Sequence, residues 1–211
     1  MQITSFGHSC LLIEESGARI LIDPGGFSRG FESLTQLDAI LLTHEHTDHT
    51  EPTRVTELLR VNPAAVVRAN AGAGAILTKA SVSFELVRHG DAREICSVRV
   101  RAIGEHHAQI YHTIPVVPNT GYMIAERFFH PGDALTDPGQ PVEILALPVV
   151  APWSKVSDVL DYALRLKPKV AFLIHDAFLQ PINPYHKWAK TILEPAGIDV
   201  VIPEHGKLYT W

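Results

Sequence analysis

The residues Thr43-His44-Glu45-His46-Thr47-Asp48-His49 concentrate metal-ligating side chains more densely than any other stretch of the chain. Side chains of an extended segment repeat every two residues, so His44 and His46 face the same side and can grip one cation together. Asp48 and His49 fall where the chain must turn into the following helix, and a change of direction there can present both to a second cation nearby. Such a pattern gives each member a geometric reason, which a solvated loop that happened to be rich in histidine would lack. The helical zinc motif His-Glu-x-x-His is not formed, because the third residue after Glu45 is Asp48. Gly72-Ala73-Gly74 lacks the third glycine of a dinucleotide fingerprint and reads as a helix start.

Composition agrees with ligation by imidazole and carboxylate. Among 211 residues there are twelve histidines but only Cys10 and Cys96, too few for a disulfide framework or a thiolate zinc site. Residues are 46% hydrophobic and 19% charged, against roughly 25% charged in an average soluble domain, which excludes a disordered chain. At roughly 100 to 200 residues per domain, the length predicts one domain over residues 1–211. No apolar run approaches the roughly 18 residues of a membrane span. The opening Met1-Gln2-Ile3-Thr4-Ser5-Phe6 has neither the basic region nor the apolar run of a signal peptide, so a cytoplasmic protein is expected. A net charge of −5 disfavours general nucleic-acid binding.

The elements that must position the cluster follow from periodicity and turn signals. Leu37-Asp38-Ala39-Ile40-Leu41-Leu42 predicts a buried strand ending at the cluster, and Pro52 a helix that stops before Asn62-Pro63. Further strands are expected at 2–6, 10–14, 19–22, 66–68, 83–87, 95–103, 109–112, 121–125, 127–130, 142–147, 170–174 and, as the last, 200–202. Helices are expected near 73–79, over 155–166 up to Pro168, and over 185–193. Each half supplies several strands and about two helices, which implies two packed sheets with helices outside.

His44-x-His46-x-Asp48-His49 after an apolar strand resembles the signature of the metallo-β-lactamase-fold superfamily. The resemblance implies an α/β fold, a four-layer αββα sandwich of two mixed β-sheets with helices on the outer faces. It also implies a third histidine on the first metal, an aspartate bridging both, and a late histidine on the second. Matching positions occur in that order: Glu105-His106-His107-Ala108, His130-Pro131-Gly132-Asp133 and Ile174-His175-Asp176. His107 is preferred over His106 because neighbours in a strand face opposite ways and the family's His-Ala step matches His107-Ala108. His130 then reads as a strand-end residue. Phe6-Gly7-His8-Ser9-Cys10 and Leu21-Ile22-Asp23-Pro24-Gly25 resemble the fold's opening strands, most closely in the compact branch that includes ascorbate-6-phosphate lactonase. The length leaves little room for the extra domains of RNA-processing relatives, and the diiron flavoprotein branch has Glu where this chain has His46.

On this resemblance His44, His46 and His107 hold one divalent metal ion, Asp48, His49 and His175 hold another, and Asp133 bridges them. The implied activity is hydrolysis of a lactone, ester, amide or phosphodiester, with Asp48 and Asp133 as catalytic residues. Nitrogen and oxygen ligation suits Zn2+ and also admits Mn2+ or Fe2+. Two dications against few carboxylates leave a positive pocket, so a small anionic or carbonyl-containing substrate is expected. Two other functions use the same residues: a metal-binding sensor without turnover, and an iron-dependent redox enzyme. His8, Asp23 and Asp176 stand between orienting a ligand and shaping a turn or strand end, and Lys155 between meeting the substrate and capping a helix in solvent. His89, His112, His186 and His205 carry no assigned role, and the oligomeric state is left open.

Overall fold

Alternate residues of the central strands bury into different cores, and this period of two builds the layers. In the computed structural model, which describes residues 1–177 and 183–211, there are two seven-stranded sheets. The first contains β1 (Gln2–Ser5), β2 (Leu11–Glu15), β3 (Ala18–Ile22), β4 (Ala39–Leu42), β5 (Val66–Ala69) and β6 (Glu85–Leu86). The second contains β7 (Ala92–Ile95), β8 (Val98–Ile103), β9 (Gly121–Ile124), β10 (Phe128–His130), β11 (Ile144–Pro148), β12 (Val170–Ile174) and β13 (Asp199–Val201). The final strand, β14 (Leu208–Thr210), crosses back and pairs antiparallel with β1.

Ile20, Ile22, Leu41, Ile144, Ala146, Phe172 and Ile174 meet between the sheets in one core. Their neighbours turn outwards. Leu21, Ile40 and Leu42 pack with Val55, Leu58 and Leu77 of α1 (Pro52–Val61) and α2 (Ala71–Lys79). Leu145, Leu147, Ala171 and Leu173 pack with Val159, Ala163, Ala189 and Leu193 of α3 (Val156–Leu166) and α4 (Asn183–Leu193). Strands β4, β11 and β12 are buried throughout, as parallel strands covered on both faces must be. The result is the expected αββα sandwich. No helix among the described residues is long and apolar enough to cross a membrane.

The ends of α1 and α3 fall where the sequence placed them, and α2 starts slightly earlier, at Ala71. Pro52 opens α1, and Asn62 closes it by donating from Nδ2 to the carbonyls of Leu34 and Leu58. The Asn70 side chain accepts from the Ala73 N–H at the start of α2. Lys167, left-handed at φ 49°, ends α3 before Pro168.

Three expectations change. The strand over 95–103 is instead a hairpin of β7 and β8, turning at Cys96 in the left-handed region (φ 52°) without the glycine that would have announced it. Residues 109–112 form no strand; they lie in an irregular connection pinned by the bridge of His106 with Pro118. The strand near 200–202 is not the last. The half-exposed Leu208–Thr210 segment becomes a strand only because β1 offers it an edge.

Candidate metal centre

The connections following β3, β4, β10 and β12, with those joining β1 to β2 and β8 to β9, meet at one rim of the sandwich. Beyond β4 the chain leaves the sheet, bends at Glu45 between His44 and His46 and then turns, the amides of His49 and Thr50 both donating to the His46 carbonyl. Thr50 closes the turn by donating its hydroxyl to the His44 carbonyl at 2.6 Å. Asn70 and the amide of Thr120 both donate to the carbonyl of Thr43, anchoring the front of the loop to α2 and β9. Glu45 points the other way, over the start of α2, where a Cβ on Gly72 would lie 2.1 Å from its Oε2. The period of two expected of the motif is therefore kept.

Donor atoms from these segments gather in three groups, each within 4.8 Å: His44, His46 and His107; His8, Asp48, His49 and His175; and His44, His49 and Asp133. Nε2 of His44 lies 3.1 Å from Nδ1 of His46, close to the roughly 3.3 Å between two nitrogens sharing a tetrahedral zinc at ~2.0–2.1 Å. Asp133 reaches across the groups, with Oδ1 3.1 Å from Nε2 of His49 and Oδ2 3.1 Å from that of His175 and 3.4 Å from that of His107.

The other ring nitrogens are tied down. Nδ1 of His107 donates to the Ala108 carbonyl at 2.5 Å and Nδ1 of His175 to the Val150 carbonyl at 2.7 Å. Nδ1 of His49 donates to Oδ2 of Asp23 at 2.7 Å. Nδ1 of His44 donates to the Thr43 hydroxyl at 3.0 Å, which donates in turn to the same Asp23 oxygen at 2.7 Å. These bonds fix the tautomers so that Nε2 is left to face the centre, the usual role of partners around ligating histidines. Asp23, His8 and His175 themselves sit in the left-handed region, at φ 47°, 51° and 64°. Strain of this kind persists where surrounding bonds over-determine it; here the His175 amide donates to the His8 carbonyl at 3.0 Å.

Charge is divided across the cluster: most groups are set to receive a cation, while His49 holds a proton that a bound cation would displace. Burial pulls His44 well below the ordinary histidine range and His46 below it, so both present neutral rings. Burial pulls His8 down to about 4 although Asp48 works to raise it. Asp48 is brought to about 2: burial opposes this, but the hydrogen bond from His8 and the charge of His49 outweigh it. Asp133 is likewise held well below the carboxylate range, His49 and His175 overcoming the effect of burial. Burial would lower His49, yet Asp133 and Asp23 on either side keep it well above the histidine range.

Of the residues singled out in the sequence, His44, His46, Asp48, His49, His107, Asp133 and His175 are brought together. His107 is buried and faces His44 and His46, whereas His106 is exposed on the opposite side. His130 stands apart, its Nε2 donating to the Ser9 carbonyl and its Nδ1 accepting from the Gly132 amide. Asp176 accepts from His186 of α4 at 3.0 Å. Lys155 is exposed at the start of α3. Three contributors went unnoticed in the sequence. Thr43 links His44 to Asp23; Asn119 accepts the Asp133 amide at 3.0 Å and donates to the Pro131 carbonyl at 2.9 Å; Trp153 donates its indole N–H to Oδ2 of Asp133 at 2.7 Å. Only Thr43, abutting the motif, could have been suspected.

The residues fit divalent cations. Nε2 of His107 is buried without a hydrogen bond, and the buried Nε2 of His49 and Oδ1 of Asp133 face one another at 3.1 Å. A buried polar atom left unsatisfied costs about 1–3 kcal/mol, and these three atoms face one space. Cys10 is buried and Cys96 exposed at the β7–β8 turn, and neither joins the donor groups, so the set is nitrogen and oxygen throughout.

Comparison with known proteins gives a consistent picture. The profile of the β-lactamase superfamily domain matches residues 2–175, a span containing every member of the cluster. Protein Rv0786c of Mycobacterium tuberculosis is 45% identical over 186 residues, 86% of each chain. A UPF0173 metal-dependent hydrolase of Lysinibacillus sphaericus is 28% identical over 203 residues, 87% of this chain and 88% of that one. Among solved structures, that of a candidate metal-dependent hydrolase from Parabacteroides distasonis superposes with a TM-score of 0.77 at 25% identity, covering 96% of this chain and 92% of that one.

Proposed function

The chain belongs to the β-lactamase superfamily domain family, within the metallo-β-lactamase superfamily, and from that premise we propose a metal-dependent hydrolase with a two-metal centre. In this reading His44, His46 and His107 hold one divalent ion, Asp48, His49 and His175 hold the other, and Asp133 spans both. The observation that carries it is the convergence of buried nitrogen and carboxylate donors whose outer atoms are already engaged by Asp23, Thr43, Ala108 and Val150. Relatives named metal-dependent hydrolases support the same reading.

When bound, the pair of ions supplies Lewis acidity and brings the pKa of a water towards 7. The chain's own residues supply position and charge. Asp133, anionic and anchored by Asn119 and Trp153, keeps the two donor sets in register. Asp48, held anionic by the hydrogen bond from His8 at 3.0 Å, is placed to orient the attacking water. Neutral imidazoles and few carboxylates leave the pocket positive once dications bind, which favours a small anionic or carbonyl-bearing substrate. The reaction is hydrolysis of a lactone, ester, amide or phosphodiester. The resemblance to ascorbate-6-phosphate lactonase makes a phosphorylated lactone the first compound to try, and an imidazole-rich donor set makes zinc the first metal.

The test is metal analysis of protein purified without chelators, followed by a screen of lactones, esters, amides and phosphodiesters. Turnover should require metal and be abolished in His46→Ala and Asp133→Asn. Full activity in metal-free protein would overturn the reading.

A further inference from the structure

Asp133 has oxygens beside His49, His107 and His175, so it touches histidines of every donor group, and its two oxygens have different surroundings. Oδ1 faces Nε2 of His49 at 3.1 Å. Oδ2 lies 3.1 Å from Nε2 of His175 and 3.4 Å from that of His107, and it alone receives the indole N–H of Trp153, at 2.7 Å. The same indole stands edge-on to His107, ring centres 6.1 Å apart and planes at 79°, so one side chain touches both the aspartate and a histidine of the other donor group. Trp153 lies in the connection between β11 and α3, where Ser154 accepts from the Ala151 amide and donates to its carbonyl, closing a tight turn. It is half-buried and forms part of the rim.

We propose that Trp153 is a positioning residue that makes Asp133 an asymmetric bridge, its N–H fixing the carboxylate plane and drawing charge from Oδ2 so that Oδ1 is the stronger donor. The inference rests on the two-metal reading above. A carboxylate has two equivalent oxygens and rotates about its Cβ–Cγ bond; a charge-assisted hydrogen bond to one of them removes both freedoms. Without the N–H, Asp133 would have to be held by the ions alone, at the cost of the weaker-held one. The three imidazoles of the His44, His46 and His107 group need no carboxylate, so the ion between Asp48, His49 and His175 is the one expected to suffer.

The experiment titrates Co2+ into chelator-treated wild type and Trp153→Phe, recording calorimetric affinities and visible d–d bands. Phenylalanine keeps an aromatic edge for His107 and removes only the donor. Two equivalents should bind to the wild type; in the variant the second should bind about 10- to 100-fold more weakly, the range for loss of an outer partner of a ligand, with altered bands and an unchanged first equivalent. If Trp153→Phe does not fold, replacing Trp153 with β-benzothienylalanine removes the N–H without changing shape. Wild-type affinities and bands for both equivalents in the variant would overturn the proposal while leaving the two-metal reading intact. Fewer than two equivalents in the wild type would overturn that reading and the proposal with it.

Discussion

Oδ2 of Asp23 accepts hydrogen bonds from both Nδ1 of His49 and the hydroxyl of Thr43, each at 2.7 Å, and Thr43 in turn holds His44. One buried carboxylate outside the donor groups thus sets the tautomer of His49 directly and that of His44 through Thr43. In Asp23→Asn the amide offers a donor where acceptors are needed. Metal affinity should fall about 10- to 100-fold, read by competition with a chelator of known affinity. Wild-type affinity in this variant would mean that the histidines are oriented without it.

Gly25 lies against the peptide joining Asp48 and His49: a Cβ there would sit 1.9 Å from the Asp48 carbonyl oxygen and 2.4 Å from the His49 nitrogen. Because the obstacle is backbone, the turn itself must move. Gly25→Ala should lose about 1–3 kcal/mol or more of stability, lowering Tm by roughly 2–4 °C per kcal/mol, and should retain less metal. Thermal unfolding together with metal content checks this, and a variant with normal values for both would refute the proposed close packing.

Asn119 is buried and spans the turn that carries Asp133. Asn119→Ala leaves the Asp133 amide and the Pro131 carbonyl unpaired. At about 1–3 kcal/mol for each unsatisfied group, the midpoint of denaturant unfolding should fall clearly, and an unchanged midpoint would contradict the assignment.

Chelated protein should lose stability as pH falls from 6.5 to about 4. His8, facing Asp48, His49 and His175, titrates at about 4 when folded and at 6.5 when free. Below 6.5 the unfolded chain takes up a proton that the folded one declines, so stability present above 6.5 is lost as pH falls through the folded value. The full effect is roughly 3 kcal/mol. His44, His46 and His130 are also lowered by burial and act in the same direction, whereas His49 is raised and opposes them. Comparison with His8→Asn isolates the one group: the variant's Tm should fall less steeply over this window, and equal slopes would rule His8 out as the cause.

The sequence by itself determined what depends on near neighbours. His44, His46, Asp48 and His49 lie within six residues, so a short segment leaving a strand and entering a turn brings them close to one another. The strands β4, β11 and β12, with the ends of α1 and α3, were legible for the same reason: apolar periodicity and capping residues act over a few positions. Only tertiary structure decided the remainder. Nothing local distinguishes Trp153 from any other tryptophan at a loop, or Asp23 from any turn aspartate. Their roles rest on hydrogen bonds to Asp133, 20 positions away, and to His49, 26 positions away. His8 likewise joins the centre through Asp48, 40 positions along the chain, and β14 is a strand because β1 leaves an edge open to it. A hydrogen bond requires two atoms within about 3 Å, and for residues this far apart in sequence that proximity is created by sheet packing rather than by local pattern.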